Sequence, residues 1–257
     1  MKKSLFVLLA LIVFVGSSVK AQQDLFLKKE FVYKNDTLKY RILFPENYDK
    51  NQKYPLVIFL HGAGERGNDN ESQLVHGSSL FLTPDNRKNF PAIVVFPQCP
   101  KDKYWAPIIA RDNGFTYPEK AEATEPMQLV LRLIKELKKN EAVDSKSMYV
   151  TGLSMGGMGT FDLISRYPKM FAAAQPICGG INPARLEKLG KMPIRIFHGT
   201  ADNVVSPEHS KEAYNKLKEI GNTKASIILY EGVGHNSWTN VFAEPDYLRW
   251  MFANKLK

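Results

Sequence analysis

The chain has 257 residues, 44% of them hydrophobic, with 17 Gly, 15 Pro and 2 Cys, a globular composition that excludes the collagen-like, disordered and disulfide-scaffold classes. Its 35 Lys and Arg outnumber 26 Asp and Glu for a net charge of +9, but the lysines are scattered, and no Arg-rich stripe or aromatic-interleaved basic patch marks a nucleic-acid groove. No Pro/Ser-rich linker, charge block or internal repeat divides the sequence, so one packed domain over residues 22–257 is expected.

Residues 1–21 read as a secretory signal peptide. Lys2 and Lys3 are followed by an apolar run from Leu5 to Val15 and by small residues ending in Val19-Lys20-Ala21, which is a basic start, a hydrophobic centre and a cleavage pattern. The run is too short to span a bilayer, and no Cys follows it to carry a lipid. The expectation is export to the periplasm or the medium, with no membrane anchor after cleavage. Losing Lys2, Lys3 and Lys20 leaves 32 basic residues against 26 acidic ones, a net charge of +6. In such a compartment Cys99 and Cys178 are free to pair, but their number alone does not decide it.

The mature chain opens with two alternating runs, Phe26 to Tyr33 and Leu38 to Phe44, around the turn residues Lys34-Asn35-Asp36, a period-two pattern that predicts a half-exposed hairpin. The pattern then changes to short, mostly apolar runs at 55–60, 92–96, 147–151, 171–177, 193–197 and 225–230, as expected of parallel strands covered on both faces. Helical stretches separate them. Pro126 suits the first turn before Met127, Val130, Leu131, Ile134 and Leu137; Ser206-Pro207 and Gly221 bracket another helix, and Asn182-Pro183 and Gly190 a shorter one. The segment 101–124 is long for a strand-to-helix connection; its Trp105 and Tyr117 either roof a pocket or cover the core. The sum is an α/β layered domain with a mostly parallel central sheet, helices on both faces and an N-terminal antiparallel hairpin, its chemistry at the carboxyl ends of the strands.

One such end carries Gly152-Leu153-Ser154-Met155-Gly156-Gly157 between the β-rich Met148-Tyr149-Val150 and a helical pattern containing Phe161, Leu163 and Ile164. This G-x-S-x-G in a strand, turn and helix predicts a nucleophile elbow with Ser154 at its tip. A serine hydroxyl needs a base to take its proton and a third group to orient that base. Asp202, in His198-Gly199-Thr200-Ala201-Asp202, and His235, in Gly232-Val233-Gly234-His235, each follow a strand and supply the two roles in the order Ser, Asp, His. His198 reads as a strand-end packing or hydrogen-bonding residue, His209 as an exposed first-turn residue, and His76 as a loop residue without a partner pattern. His61-Gly62-Ala63-Gly64 follows the strand at 55–60, where a second oxyanion donor belongs, so the backbone N–H groups of Ala63 and Met155 are the expected oxyanion hole. Trp105 and Trp238 are candidate walls of the substrate pocket. Glu65 and Arg66 either meet substrate or pair with each other. There is no H-E-x-x-H, no paired C-x-x-C and no carboxylate loop, so no metal is expected. Gly62 to Gly67 fits G-x-G-x-x-G, but no apolar helical pattern follows it.

Through 60–67, Pro97-Gln98-Cys99-Pro100 with Trp105, 152–157, 198–202 and Gly234-His235-Asn236-Ser237-Trp238, the sequence resembles the α/β-hydrolase superfamily. Within it, the likeness is to the secreted esterase and predicted-peptidase group around polyhydroxybutyrate depolymerases, feruloyl esterases and dienelactone hydrolase-like proteins. The resemblance implies a cofactor-free serine carboxylesterase that works through an acyl-enzyme, on feruloyl or acetyl groups of plant-type saccharides. A small molecule or an oligosaccharide ester is then its partner, rather than a nucleic acid. The alternatives are a prolyl-oligopeptidase-like serine peptidase with the same triad and, from another class, a non-catalytic carbohydrate-binding relic.

Overall fold

The computed structural model describes residues 23–111 and 114–257; the expected signal peptide lies outside the described residues. Ten strands are found there. β1 (Leu27–Tyr33) and β2 (Asp36–Leu43) form the antiparallel hairpin, and β2 pairs antiparallel with β4 (Ile93–Pro97). β3 (Tyr54–Leu60), β4, β7 (Val143–Leu153), β8 (Ala173–Ile177), β9 (Ile194–Gly199) and β10 (Ala225–Tyr230) pair in parallel. Across the sheet the order is β1-β2-β4-β3-β7-β8-β9-β10. This is a mixed, mostly parallel α/β sheet with the hairpin at one edge, as the sequence predicts.

β3 shows why the strands read as continuous apolar runs. Leu56, Ile58 and Leu60 enter one hydrophobic cluster, while Val57 and Phe59 enter the other, because successive side chains of a strand leave on opposite faces. The first face is covered by α2 (Glu125–Asn140), α3 (Met155–Arg166) and α4 (Glu208–Glu219), which contribute Met127, Ile134, Phe161, Ile164, Ala213 and Leu217. The second is covered by Leu74 and Phe81 of two short 3-10 turns and by α5 (Trp238–Ala243) and α6 (Tyr247–Phe252), through Val241, Tyr247 and Met251. A short α1 (Pro84–Asn89), N-capped by the Thr83 side chain, closes that layer.

The starts of α1 and α2 follow side-chain capping chemistry, whereas that of α4 departs from the sequence signal. Thr124 caps α2 through the Met127 N–H, with Pro126 in the first turn. At α4 the helix begins one residue later than the Ser206 signal implies, and the Ser206 hydroxyl accepts from the Glu208 N–H instead. The segment after Asn182 forms only a 3-10 turn, Pro183–Leu186. β7 runs longer than the apolar stretch at 147–151 because Val143 also pairs, opposite Tyr54, across an irregularity in the register. Within 101–124, β5 (Ile109–Arg111) and β6 (Gly114–Thr116) form a small separate hairpin. Cys99 and Cys178 are both free and buried.

Register levels the carboxyl ends of five strands. Leu60 of β3 stands beside Gly152 of β7, Leu153 beside Ile177 of β8, Ile177 beside Phe197 of β9, and Gly199 beside Tyr230 of β10. The loops that leave these ends carry His61, Ser154, Asp202 and His235.

Candidate active site

Ser154 stands between β7 and α3 with φ 54° and ψ −117°, a region that L-residues enter only when their surroundings impose it. Its N–H donates to the Ile177 carbonyl at 2.9 Å and its C=O accepts from the Met158 N–H at 3.0 Å, which clamps the turn from both sides. A serine at a helix N-cap position ordinarily uses its hydroxyl to cap; here no side-chain cap forms. The Ser154 Oγ lies 2.9 Å from Nε2 of His235.

The turn can be this tight because its glycines touch backbone. A Cβ on Gly156 would sit 1.8 Å from the Leu60 carbonyl oxygen, and one on Gly152 would sit 2.5 Å from the Gly156 oxygen. The first turn of α3 therefore rests on the end of β3, next to the His61–Gly64 loop. Met155 opens α3 and Ala63 opens a 3-10 turn, and such first residues have N–H groups without an acceptor inside their own helix. Both expected oxyanion donors therefore start a helical turn, where their N–H groups lack an acceptor within it.

His61 anchors the loop that presents Ala63. The Cys99 N–H donates to its Nε2 at 2.9 Å, and its Nδ1 lies 2.6 Å from the Gly62 carbonyl, so the proton resides on Nδ1. Burial pushes the pKa of this ring down to about 4. Trp105 completes the anchor: its indole N–H donates to the His61 carbonyl at 3.1 Å, and it is 0% exposed against Gly159 of α3. The expectation that Trp105 walls an open pocket is thus corrected. The 101–124 segment folds inward at this point, because the small Gly159 leaves room for the ring and the His61 carbonyl receives the N–H.

The acid and the base are strapped together by their loops. The Thr200 N–H donates to the Tyr230 carbonyl and the Ala201 N–H to the Val233 carbonyl, and a Cβ on Gly199 would meet the Val233 oxygen at 2.2 Å. His235 Nδ1 lies 2.7 Å from Asp202 Oδ2. The carboxylate can only accept, so the proton sits on Nδ1, and Nε2 is left to accept from Ser154. Asp202 Oδ1 accepts from the Val204 and Val205 N–H groups, while Oδ2 also has His198 Nε2 at 3.1 Å. Burial alone would raise this carboxyl, but hydrogen bonds from His198, His235 and the two amides outweigh it and hold the group well below the usual carboxylate range.

Ser154 and His235 are half-buried, whereas Asp202 is buried. Among the described residues, the donor atoms of Cys178, Asp202 and His235 lie within 4.8 Å of one another. Asp202 and His235 are already bonded to each other, and burial pushes the Cys178 thiol up to about 12, so this group lacks the free deprotonated donors of a metal cage.

Trp238 lies beside His235, edge-on with ring centroids 5.4 Å apart. Its other neighbour is His76, at 5.3 Å, whose Nε2 lies 3.7 Å from Glu65 Oε1. The loop residue His76 is therefore a neighbour of the site, a tertiary relation with no signal in local sequence. Glu65 and Arg66 do not pair: the Arg66 Nε donates to the Ala63 carbonyl and its guanidinium lies over the Tyr104 ring. An apolar cluster of Ala106, Tyr117, Met158 and Val205, joined by Ile108 and Phe115, draws Met158 from the first turns after the elbow and Val205 from the acid loop. Met158 was not singled out in the sequence; its position one turn after Ser154 is the signal that points to it. His209 is half-buried against Tyr117, rather than exposed.

Comparison with known proteins bears on this geometry. The family model described as "Putative esterase" matches residues 33–237. The chain is 27% identical over 210 residues to a probable feruloyl esterase C of Aspergillus oryzae, covering 80% of this chain and 70% of that one. It is 37% identical over 164 residues to a bifunctional acetylxylan esterase/xylanase, XynS20E, of Neocallimastix patriciarum, covering 63% of this chain and 21% of that one. Among solved structures, a thermostable esterase superposes with a TM-score of 0.84 at 34% identity over 91% of this chain, which spans 64% of that protein.

Proposed function

Since the chain belongs to the putative-esterase family of the α/β-hydrolase fold and is a carboxylic ester hydrolase, we propose that it is an exported serine carboxylesterase releasing acetyl or feruloyl groups from plant-type saccharides. The observation that carries the reading is the continuous run of contacts from Ser154 Oγ through His235 to Asp202, at 2.9 and 2.7 Å.

In this reading His235 Nε2 takes the Ser154 proton as Oγ attacks the ester carbonyl, and the Ala63 and Met155 N–H groups hold the resulting oxyanion. Asp202 keeps the imidazole in its Nδ1–H tautomer and stabilises the imidazolium. The imidazolium then gives its proton to the departing alcohol oxygen, leaving the acyl group on Ser154. Water enters, loses a proton to His235 and attacks the acyl carbonyl; Ser154 Oγ leaves with that proton and the carboxylic acid is released.

The substrate assignment draws on two features. The relatives named above include a feruloyl esterase and an acetylxylan esterase/xylanase. The wall next to His235 also sets the Trp238 ring beside an imidazole and a carboxylate that do not hydrogen-bond each other. Such a wall offers an aromatic face together with polar groups for a hydroxylated alcohol. Removal of residues 1–21 on export, leaving 22–257 as one domain, is part of the proposal; among the described residues no helix is long and apolar enough to cross a membrane.

The test is hydrolysis of p-nitrophenyl acetate and butyrate, methyl ferulate, acetylated xylan and a proline-containing peptide amide, beside the Ser154→Ala variant. Ester cleavage lost by at least about 10³-fold in a folded Ser154→Ala protein is expected. Substantial turnover in that variant sinks the nucleophile assignment, and cleavage of the amide alone moves the protein to the peptidases.

A further inference from the structure

The hydrogen bonds do not stop at the acid. His198, at the end of β9, is 0% exposed, and its Nε2 lies 3.1 Å from Asp202 Oδ2, the oxygen that also receives His235. The same Nε2 lies 2.9 Å from the Val205 carbonyl. Both neighbours can only accept, so this nitrogen carries a proton and donates. On the other side of the ring, Nδ1 lies 2.7 Å from the Ser210 Oγ, in the first turn of α4, and the same Oγ lies 3.1 Å from the Gly179 carbonyl oxygen.

Gly179 closes the path. A Cβ on Gly157 would lie 3.1 Å from the Gly179 Cα, and one on Gly179 would lie 2.5 Å from the Gly157 carbonyl carbon. The end of β8 therefore rests directly on the first turn of α3, three residues after Ser154. Five side chains and one backbone contact form a ring: Ser154, His235, Asp202, His198, Ser210, and then Gly179 against Gly157 on the helix that starts at Ser154.

We infer that His198 is a positioning residue of the ester-hydrolysis machinery, which holds the Asp202 carboxylate in the rotamer that faces His235 and draws part of its negative charge away from His235. The inference rests on the triad reading above. His198 touches neither substrate nor nucleophile; it acts through the acid. Two consequences follow from sharing one oxygen between two imidazoles. The carboxylate cannot swing away from His235 without abandoning both. And the second donor offsets charge that otherwise stabilises protonated His235, so the base is less basic with His198 than without it. The other titratable groups around the ring are the buried Cys178 thiol, near Asp202 and His235, and His209, next to Ser210 in sequence and facing Tyr117 and Glu212.

The experiment is the pH profile of kcat/KM and the separate kcat and KM for p-nitrophenyl butyrate, measured on the wild type, His198→Leu, His198→Gln and Ser210→Ala, with circular dichroism to establish folding. His198→Leu is expected to lower kcat by about 10- to 100-fold with KM within about threefold, and to move the acid limb of the profile up by about half a unit or more. His198→Gln, which keeps an N–H for Asp202, is expected to restore the limb and most of kcat. A folded His198→Leu protein with an unmoved limb and kcat within twofold of wild type overturns the inference, as does a change confined to KM. If His198→Leu does not fold, Ser210→Ala decides: a fall in kcat of threefold or more at unchanged KM supports the ring, and an unchanged kcat overturns it. A wild type without Ser154-dependent turnover overturns the proposed function and this inference together, whereas an active wild type with unmoved variants overturns this inference alone.

Discussion

Adding one methyl group at Gly156 tests whether the elbow works by close backbone approach. The Cβ of a Gly156→Ala variant would lie 1.8 Å from the Leu60 carbonyl oxygen, 2.5 Å from its carbon and 2.8 Å from the His61 oxygen. All three are backbone atoms, so no side chain can turn aside, and ordinary contact requires the start of α3 to retreat from β3 by more than about 1 Å. That retreat carries the Met155 N–H away from Ala63 and shifts Ser154 against His235. A misplacement of about 1 Å costs on the order of 10²-fold in rate, similar to losing one oxyanion donor. Overpacking of this kind destabilises by about 1–3 kcal/mol, which in a domain of this size lowers Tm by about 3–10 °C. Initial rates with p-nitrophenyl butyrate and a thermal melt followed by circular dichroism measure both. Gly67→Ala is the control, since its Cβ would meet only Gln98 Nε2, at an ordinary contact distance of 3.4 Å; it is expected to stay near wild type in rate and Tm. A Gly156→Ala protein with kcat within threefold and Tm within about 2 °C of wild type refutes the reasoning.

Two further outcomes are expected. His61 is neutral in the folded state down to about pH 4 because burial opposes its charge, whereas in the unfolded chain it protonates near 6.5. Between those values the unfolded state binds the additional proton, so the group removes up to about 3 kcal/mol of stability as pH falls from 6.5 to 4 and no more below that. Asp202, held low, acts with the same sign in a lower window: its contribution is complete above the unfolded carboxylate value and is lost only on stronger acidification. Melting curves at pH steps from 7 to 4 should therefore be flatter for His61→Asn than for wild type; parallel slopes remove the buried neutral imidazole as the cause. For export, the protein recovered from outside the inner membrane is expected to begin at Gln22, and an intact Met1 on the exported protein argues against cleavage after Ala21.

Much of this was legible because the informative residues are local. Each parallel strand is a short apolar run covered on both faces, and the elbow announces itself through glycines whose crowding, at Gly152 and Gly156, is a backbone property of the turn. The order Ser154, Asp202, His235 followed from which strand ends the residues leave. The hairpin at 109–116 and the six-residue helices α1, α5 and α6 were not legible, since three-residue strands and less than two turns of helix do not complete a hydrophobic period. Trp105 was open to misreading because a long connection says nothing about which way it folds; its place was set by Gly159 and the His61 carbonyl, both distant in sequence. His76 was missed for the same reason, as its neighbours Trp238 and Glu65 come from other loops. At His198, the four-residue spacing to Asp202 was visible, but the sharing of one carboxylate oxygen by two imidazoles arises only once β9 and β10 lie side by side.

The sheet order distributes resistance to opening unevenly among the three residues of the site. β7, which delivers Ser154, lies between β3 and β8 in the interior, whereas β10, which delivers His235, is the outermost strand at its side of the sheet and is only partly covered. Local opening requires least free energy where backbone hydrogen bonds and apolar contacts are fewest. The amide of Ser154, bonded to Ile177, is thus expected to exchange with solvent deuterium only when the whole domain unfolds, and amides around the His235 loop to exchange through fraying of one edge. On warming, the base is expected to leave the nucleophile before the core melts, so turnover should fall, and recover on cooling, at temperatures where circular dichroism still reads a folded domain.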